Sequence, residues 1–253
     1  MSAYQWDLLR TLTRTEFRMR DQGTVAGFLW TLLHPLFIFA VLHTLFTAWM
    51  SPRVENYPAF LLIGIVQWNF FAVATSGALT CLRRKAPLIV HHAFPRSFIL
   101  LSSAASVLLS HLAEWVVLLA ALLLLGARPD ARWLLLPALI AVEAALVVGV
   151  SCFLSALAVR VRDLERVWGI VLHGLFFLTP VFYDAGVVGG TGRRLVALNP
   201  LSAVLDATRA LLLGGEAPAR GALPATAAFA ALLCAAGLAA YPRLTRGVAE
   251  KLT

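Results

Sequence analysis

FILLSSAASVLLSHLAEWVVLLAALLLLG, residues 98–126, carries one carboxylate, Glu114, and no Lys or Arg in 29 positions. As a helix it would reach about 44 Å at 1.5 Å per residue, against roughly 30 Å of hydrocarbon in a bilayer. An apolar run of that length reads as a membrane crossing. Its surplus length, with His111 and Glu114 inside it, predicts a kink or a start within the interface.

Five further runs behave alike: 26–49, 58–82, 133–157, 167–183 and 221–241. The 253-residue chain is 60% hydrophobic and 13% charged, with a mean hydropathy of +0.82, whereas soluble domains hold about 25% charged residues. This balance excludes disorder, a coiled coil and a basic nucleic-acid-binding module, and it argues against a soluble enzyme. No period-two alternation marks a barrel, so the backbone must satisfy itself as helices. The expected fold is therefore all-α, a polytopic membrane protein with six transmembrane helices. The fifth run is short and stops at Pro180. Cys81, Cys152 and Cys234 stand apart in apolar runs without CxxC spacing, which predicts neither disulfides nor a zinc site. The first run begins at Ala26 and is too long for a signal-peptide core, so no cleavable leader is expected.

Orientation follows from the basic residues. A cytoplasmic N-terminus places 14 of the 21 Lys and Arg inside: those before Asp21, those from Arg83 to Arg96, those from Arg160 to Arg166, and those after Tyr241. Both termini are then cytoplasmic. Before the first run, Tyr4, Leu8, Leu9, Leu12 and Met19 share one helical side, while Asp7, Arg10, Arg14, Arg18 and Asp21 share the other. That pattern predicts a basic amphipathic helix in the inner interface, interrupted by Glu16 on its apolar side. The longest outside segment, 184–220, has four glycines within 186–192 and then a short apolar stretch. Asn199 suits its N-cap, Pro200 its first position and Gly214 its end. The stretch is too short to span, which predicts a helix lying in or dipping into the outer leaflet. Asp206 and Arg209, three apart, are placed to pair.

No phosphate loop, zinc-protease motif or calcium loop is present, and no metal site or catalytic constellation is expected. The intramembrane ionisable residues are His34, His43, His111, Glu114, Glu143 and His173. His111 and Glu114 share a helix face and can pair. Aromatic and polar groups form stripes at helical spacing: Trp30, His34 and Phe37; Phe60, Gln67 and Phe71; His173, Phe177 and Pro180. Rings beside hydrogen-bonding groups suit a hydrated sugar path; helix packing with interfacial anchoring is the alternative. Phe39, His43 and Phe46 form a competing stripe on the opposite side of the first run, and the two cannot face one path.

The segment RTEFRMRDQGTVAGFLWTLLHPLFIFAVLHTLF (14–46) resembles the start of ABC-2 type permeases, more closely the membrane subunits of exporters of O-antigen, teichoic acid or capsule polysaccharide. HHAFPRSFILLSS (91–103), ALAVRVRDLERVWGIVLHGLFFLTPVFYDAG (156–186) and LNPLSAVLDATRALLLGG (198–215) agree in the same order. The resemblance implies one domain over 1–253: an interface helix (1–21), five spans (26–183), a re-entrant exit-side gate region (184–220), a sixth span (221–241) and a cytoplasmic tail (242–253). It implies a coupling helix within Arg83–Arg96 that docks into a cytosolic ATPase, with Arg84, Lys85, Leu88, Ile89, Val90 and Arg96 as coupling residues. Pro87 and the paired histidines His91 and His92 depart from the expected polar lead-in. The gate residues would be Asn199, Pro200, Asp206 and Arg209. The substrate path would be Trp30, His34, Phe37, Gln67, Phe71, His173, Phe177, Phe182 and Tyr183. The assembly would hold two copies of this chain and two ATPase subunits in a bacterial inner or plasma membrane. ATP and Mg²⁺ would be bound by the ATPase, so this chain itself is neither an enzyme nor a cofactor holder. The cargo would be a lipid-linked polysaccharide. An ABC-2 exporter of a lipid or drug would share the same plan; a proton-coupled secondary transporter should show an internal repeat, and none is visible.

Overall fold

The computed structural model describes residues 3–20, 25–51, 53–91, 95–161, 163–214 and 221–247, and among these it shows helices and no strand. The helices are α1 (Ala3–Arg20), α2 (Val25–Met50), α3 (Tyr57–Arg84), α4 (Ala86–His91), α5 (Arg96–Leu124), α6 (Leu136–Ala158), α7 (Leu164–Leu178), α8 (Gly190–Leu198), α9 (Pro200–Leu213) and α10 (Ala222–Leu244). Five of them, α2, α3, α5, α6 and α10, are long and apolar enough to cross a bilayer. Each coincides with an expected run. The helical ladder of α5 continues unbroken through His111 and Glu114.

The fifth expected run needs correction. α7 has 15 residues, about 22 Å of helix, and ends at Leu178. Thr179 is extended, with φ −93° and ψ 129°, because the ring of a following proline disfavours helical backbone. Residues 179–183 then continue as buried, non-helical chain. α7 still traverses much of the bundle. Near its start, Trp168 Nε1 donates to Thr75 Oγ1 at 3.1 Å; beyond its end, Val181 and Phe182 cluster with Tyr57 and Phe60 at the head of α3.

α3 is the central helix. α9 lies antiparallel to it: Arg209 meets Phe60, Thr208 meets Gln67, and Leu201 joins the cluster of Phe70, Phe71 and Ala74. From Phe60 to Phe71 is about 17 Å of helix, so α9 reaches the middle of the bundle. α8 and α9 meet at 83° around Asn199. Asn199 Oδ1 accepts from Leu201 N at 3.1 Å, Pro200 opens α9, and Gly214 closes it at φ 75°, as the sequence predicts. The stretch therefore dips into the bundle as a broken helical unit.

α6 and α10 pack through glycine. A Cβ on Gly149 would stand 2.8 Å from Leu233 Cγ, and one on Gly237 would stand 2.9 Å from Cys152 Cβ. Small residues that let backbones approach are how helices associate where lipid supplies no hydrophobic drive. α1 packs on α5 with Gln5, Leu8, Leu9, Leu12, Thr13, Glu16 and Phe17 half-buried. Met19 is exposed, so the apolar side is narrower than expected and Glu16 belongs to the packed face.

Candidate functional site

α2 and α7 flank α3 and leave an open groove of about 510 Å³ between them. His34 and Phe37 of α2, Trp68 of α3, and His173, Phe176 and Phe177 of α7 line it. Phe37 and Phe177 are 68% and 66% exposed. His173 Nδ1 lies 2.6 Å from the Gly169 carbonyl. A carbonyl only accepts, so Nδ1 carries a proton and donates to it, which leaves Nε2 toward the groove. His34 and Phe37 of the α2 stripe thus meet His173 and Phe177 of the α7 stripe across one cleft, which Pro180 does not line. The competing α2 stripe turns the other way: Phe39 and Phe46 pack on Met50, Tyr57 and Phe182, with Phe46 and Phe182 centroids 4.8 Å apart.

Gln67 and Phe71 do not reach the groove. Both are buried on another side of α3, 5% and 4% exposed. The residue missed in their place is Trp68, edge-to-face with Phe176 at 5.5 Å; its spacing of four from Ala72, which also lines the groove, was the available signal. Phe182 and Tyr183 are buried as well, the first against Phe46, the second donating its hydroxyl to Phe177 O at 2.8 Å. The side chains of Trp30 and Val90 lie outside the described residues.

The buried polar groups tie helices together. Gln67 Nε2 donates to Glu143 Oε2 (3.3 Å) and Thr208 Oγ1 (3.0 Å), which joins α3, α6 and α9. Asn69 Nδ2 donates to Glu114 Oε1 at 3.2 Å, linking α3 to α5. Trp115 Nε1 donates to His111 Nε2 at 2.7 Å. An indole can only donate, so the neutral His111 proton sits on Nδ1, 3.7 Å from Glu114 Oε2. The sequence pairing of His111 with Glu114 is present as this long contact.

The expected Asp206–Arg209 ion pair is absent among the described residues. Arg209, 5% exposed, instead donates to Phe60 O (3.1 Å from Nη2), Pro180 O (2.6 Å from Nη1) and Val181 O (2.7 Å from Nη2). Its guanidinium carbon lies 3.3 Å from the Phe60 ring centroid. Pro180 and Val181 lie outside any helix ladder, so their carbonyls need a donor that lipid cannot offer. Five fixed N–H groups in a planar fork let Arg209 serve all three carbonyls. Gly64 makes the space: a Cβ there would stand 2.4 Å from Val181 O and 2.6 Å from Arg209 Nη2.

The α4 end gathers the basic side chains. Arg83 Nη2 donates to Ala158 O at 2.7 Å, Arg96 to Thr245 O, and Arg160 Nη2 to Leu244 O at 3.2 Å. Lys85 Nζ stands 2.5 Å from Glu16 Oε1. Ile89 is a correction to the expected outward ridge, because it is buried with Leu82, Ile99, Cys152 and Tyr241. Leu88 is half-buried, and Arg84 and Pro87 are exposed. A six-residue helix shows alternate faces, so only part of the apolar run is free to meet a partner.

The ABC-2 type transporter family profile matches residues 7–213. The chain is 30% identical over 213 residues to an O-antigen export system permease protein RfbA of Klebsiella pneumoniae, covering 84% of this chain and 82% of that protein. It is 27% identical over 256 residues to the O-antigen export system permease protein RfbA of Myxococcus xanthus, covering 98% and 97%.

Proposed function

This chain belongs to the ABC-2 type transporter family, and from that premise we propose that it is the multi-pass membrane subunit of an ATP-driven polysaccharide exporter. The reading takes its substrate class from the O-antigen export permeases that it resembles over most of its length. The observation that carries it further is the α2–α7 groove, where two imidazoles and four rings face outward from a single protomer. Ring faces and hydrogen-bonding nitrogens are the combination that holds a sugar while letting it slide. A second copy seated on the exposed faces of α2 and α7 would close the groove into a path, with His34, Phe37, Trp68, His173 and Phe177 on its wall. The cargo is a glycan joined to a lipid carrier, and the apolar share of the groove, Ile38, Val41 and Leu42, suits the carrier's hydrocarbon.

The basic α4 end faces the cytoplasm under the positive-inside rule, with both termini, and α1 lies along that surface. In an assembly of two copies with two cytosolic ATPase subunits, each α4 docks one ATPase through Arg84, Pro87 and Leu88, and the ATPases hold ATP and Mg²⁺. Asn199–Pro200 is the joint at which the α8–α9 unit turns back within the bundle, and that unit gates the path on the exit side. A drug or lipid cargo is the competing reading, favoured by the mainly apolar groove lining. The deciding experiment is deletion of the gene in its own bacterium. Glycan should vanish from the cell surface and accumulate inside on its lipid carrier. Normal surface glycan with altered drug resistance or lipid distribution would overturn the polysaccharide reading.

A further inference from the structure

The inward face of α1 is apolar or neutral at Leu8, Leu9, Leu12, Thr13 and Phe17, yet it carries Glu16. A carboxylate on a packed face is costly unless it finds a cation. Glu16 finds Lys85, at the joint between α3 and α4, with Nζ and Oε1 2.5 Å apart and both side chains about six-sevenths shielded, at 14% and 16% exposure. Among the described residues the other ion pairs join positions two or three apart, Arg132 with Asp130 and Arg166 with Asp163, and the contact of neutral His111 with Glu114 likewise spans three. Glu16–Lys85 alone of these joins distant elements.

The joint is fastened on its other sides too. Arg83 holds the carboxyl end of α6 at Ala158, and Arg96, just past α4, holds Thr245 beyond α10. Ile89 plugs α4 into the cluster of α3, α5, α6 and α10. The chain on either side of α4 is thereby bound to backbone acceptors of the main bundle, and α4 itself is bound by the packing of Ile89. Toward α1, the residue that leads into α4 makes the ionic contact of Lys85 with Glu16.

We infer that Glu16 is a positioning residue for energy coupling: through Lys85 it fastens α1 to the head of α4, so that both meet the ATPase as one surface. The inference rests on the proposed docking of an ATPase at α4. A push on α4 then moves α1 with it instead of sliding past it. Without the pair, α4 still responds through Ile89, but α1 keeps its own register on α5.

The test uses the full chain purified with its ATPase and reconstituted in vesicles, with glycan transport and ATP hydrolysis read together. Glu16→Lys and Lys85→Glu should each lower transport per ATP hydrolysed about tenfold, since each sets two like charges in a shielded contact. The combined Glu16→Lys/Lys85→Glu chain restores the pair with charges exchanged and should return to within about threefold of the original. Glu16→Gln, which keeps the shape, gives a milder loss and serves if charge reversal prevents insertion. A purely structural role would lower abundance and the thermal midpoint in step with transport; positioning lowers transport per ATP at unchanged abundance and midpoint. Normal coupling in Glu16→Gln and Glu16→Lys, or a double variant no better than its worse parent, overturns the inference. If no ATPase copurifies with the unaltered chain, the docking reading itself falls, which is a separate and recognisable result.

Discussion

α2 and α3 are adjacent, comparably apolar helices joined by a short loop, yet 61% of the α3 span is buried and only 11% of the Leu33–Met50 part of α2. The difference lies in what each helix must satisfy. α3 carries Gln67, Asn69 and Thr75, and each finds a partner on another element: Glu143 and Thr208, Glu114, and Trp168. Polar groups in a low-dielectric interior demand partners, so α3 is drawn to the centre. α2 shows one packed side around Phe46 and Met50 and leaves Phe37, Val41 and Leu45 bare. The centre is specified by polar ties and glycine notches. The periphery is specified by what is left for another molecule to cover.

The sharpest way to break this contrast is Arg209→Met. It removes the donor from three backbone carbonyls and should cost about 3–5 kcal/mol, since each buried group left without a partner costs about 1–3 kcal/mol. The permease should fail to accumulate in membranes, and Arg209→Lys should rescue it only in part, because one ammonium cannot replace the planar fork. Next comes Gly237→Val, which drives a side chain into Cys152. Overpacking of this kind costs about 1–3 kcal/mol, read as a lower thermal midpoint of the solubilised protein.

Leu88 and Ile89 sharpen the comparison at a single turn. Ile89→Asp should destabilise the chain, since its side chain sits in the α3–α5–α6–α10 cluster. Leu88→Asp should leave insertion intact and abolish transport-stimulated ATP hydrolysis. Equal loss of folded protein in both would end the assignment of Leu88 to a docking face. The smallest effect on stability is expected at the periphery. Phe37→Ala with Phe177→Ala should change the midpoint little, within about 0.5 kcal/mol for exposed sites, while glycan transport slows. Unslowed transport would return these rings to the role of lipid-facing bulk.

The long helices were legible because length and apolarity alone define a crossing, and Asn199–Pro200 with Gly214 was legible because capping chemistry is local. The end of α7 was not. Residues 167–183 read as one short apolar run stopping at Pro180, and only the structure shows the helix ending at Leu178 with buried, non-helical chain beyond it. Arg209 was misread for a related reason. Asp206, three residues away, offered a sequence-local partner, while the true acceptors are backbone carbonyls, which have no residue identity to read. Likewise Glu16 looked like a flaw in the amphipathic pattern of α1 until Lys85 was seen beside it.

The slot at Gly64 has a consequence for biogenesis. Phe60 and Arg209 are separated by 149 residues. At a bacterial elongation rate of about 5–20 residues per second, α3 waits roughly 7–30 s in the insertion machinery before its guanidinium is made. During that interval the notch over Phe60 stands open. The Pro180 and Val181 carbonyls arrive 29 and 28 residues ahead of the group that receives them. Nascent chains that pause before residue 209 should therefore stay accessible to membrane proteases, and protection should appear in one step once α9 has cleared the ribosome.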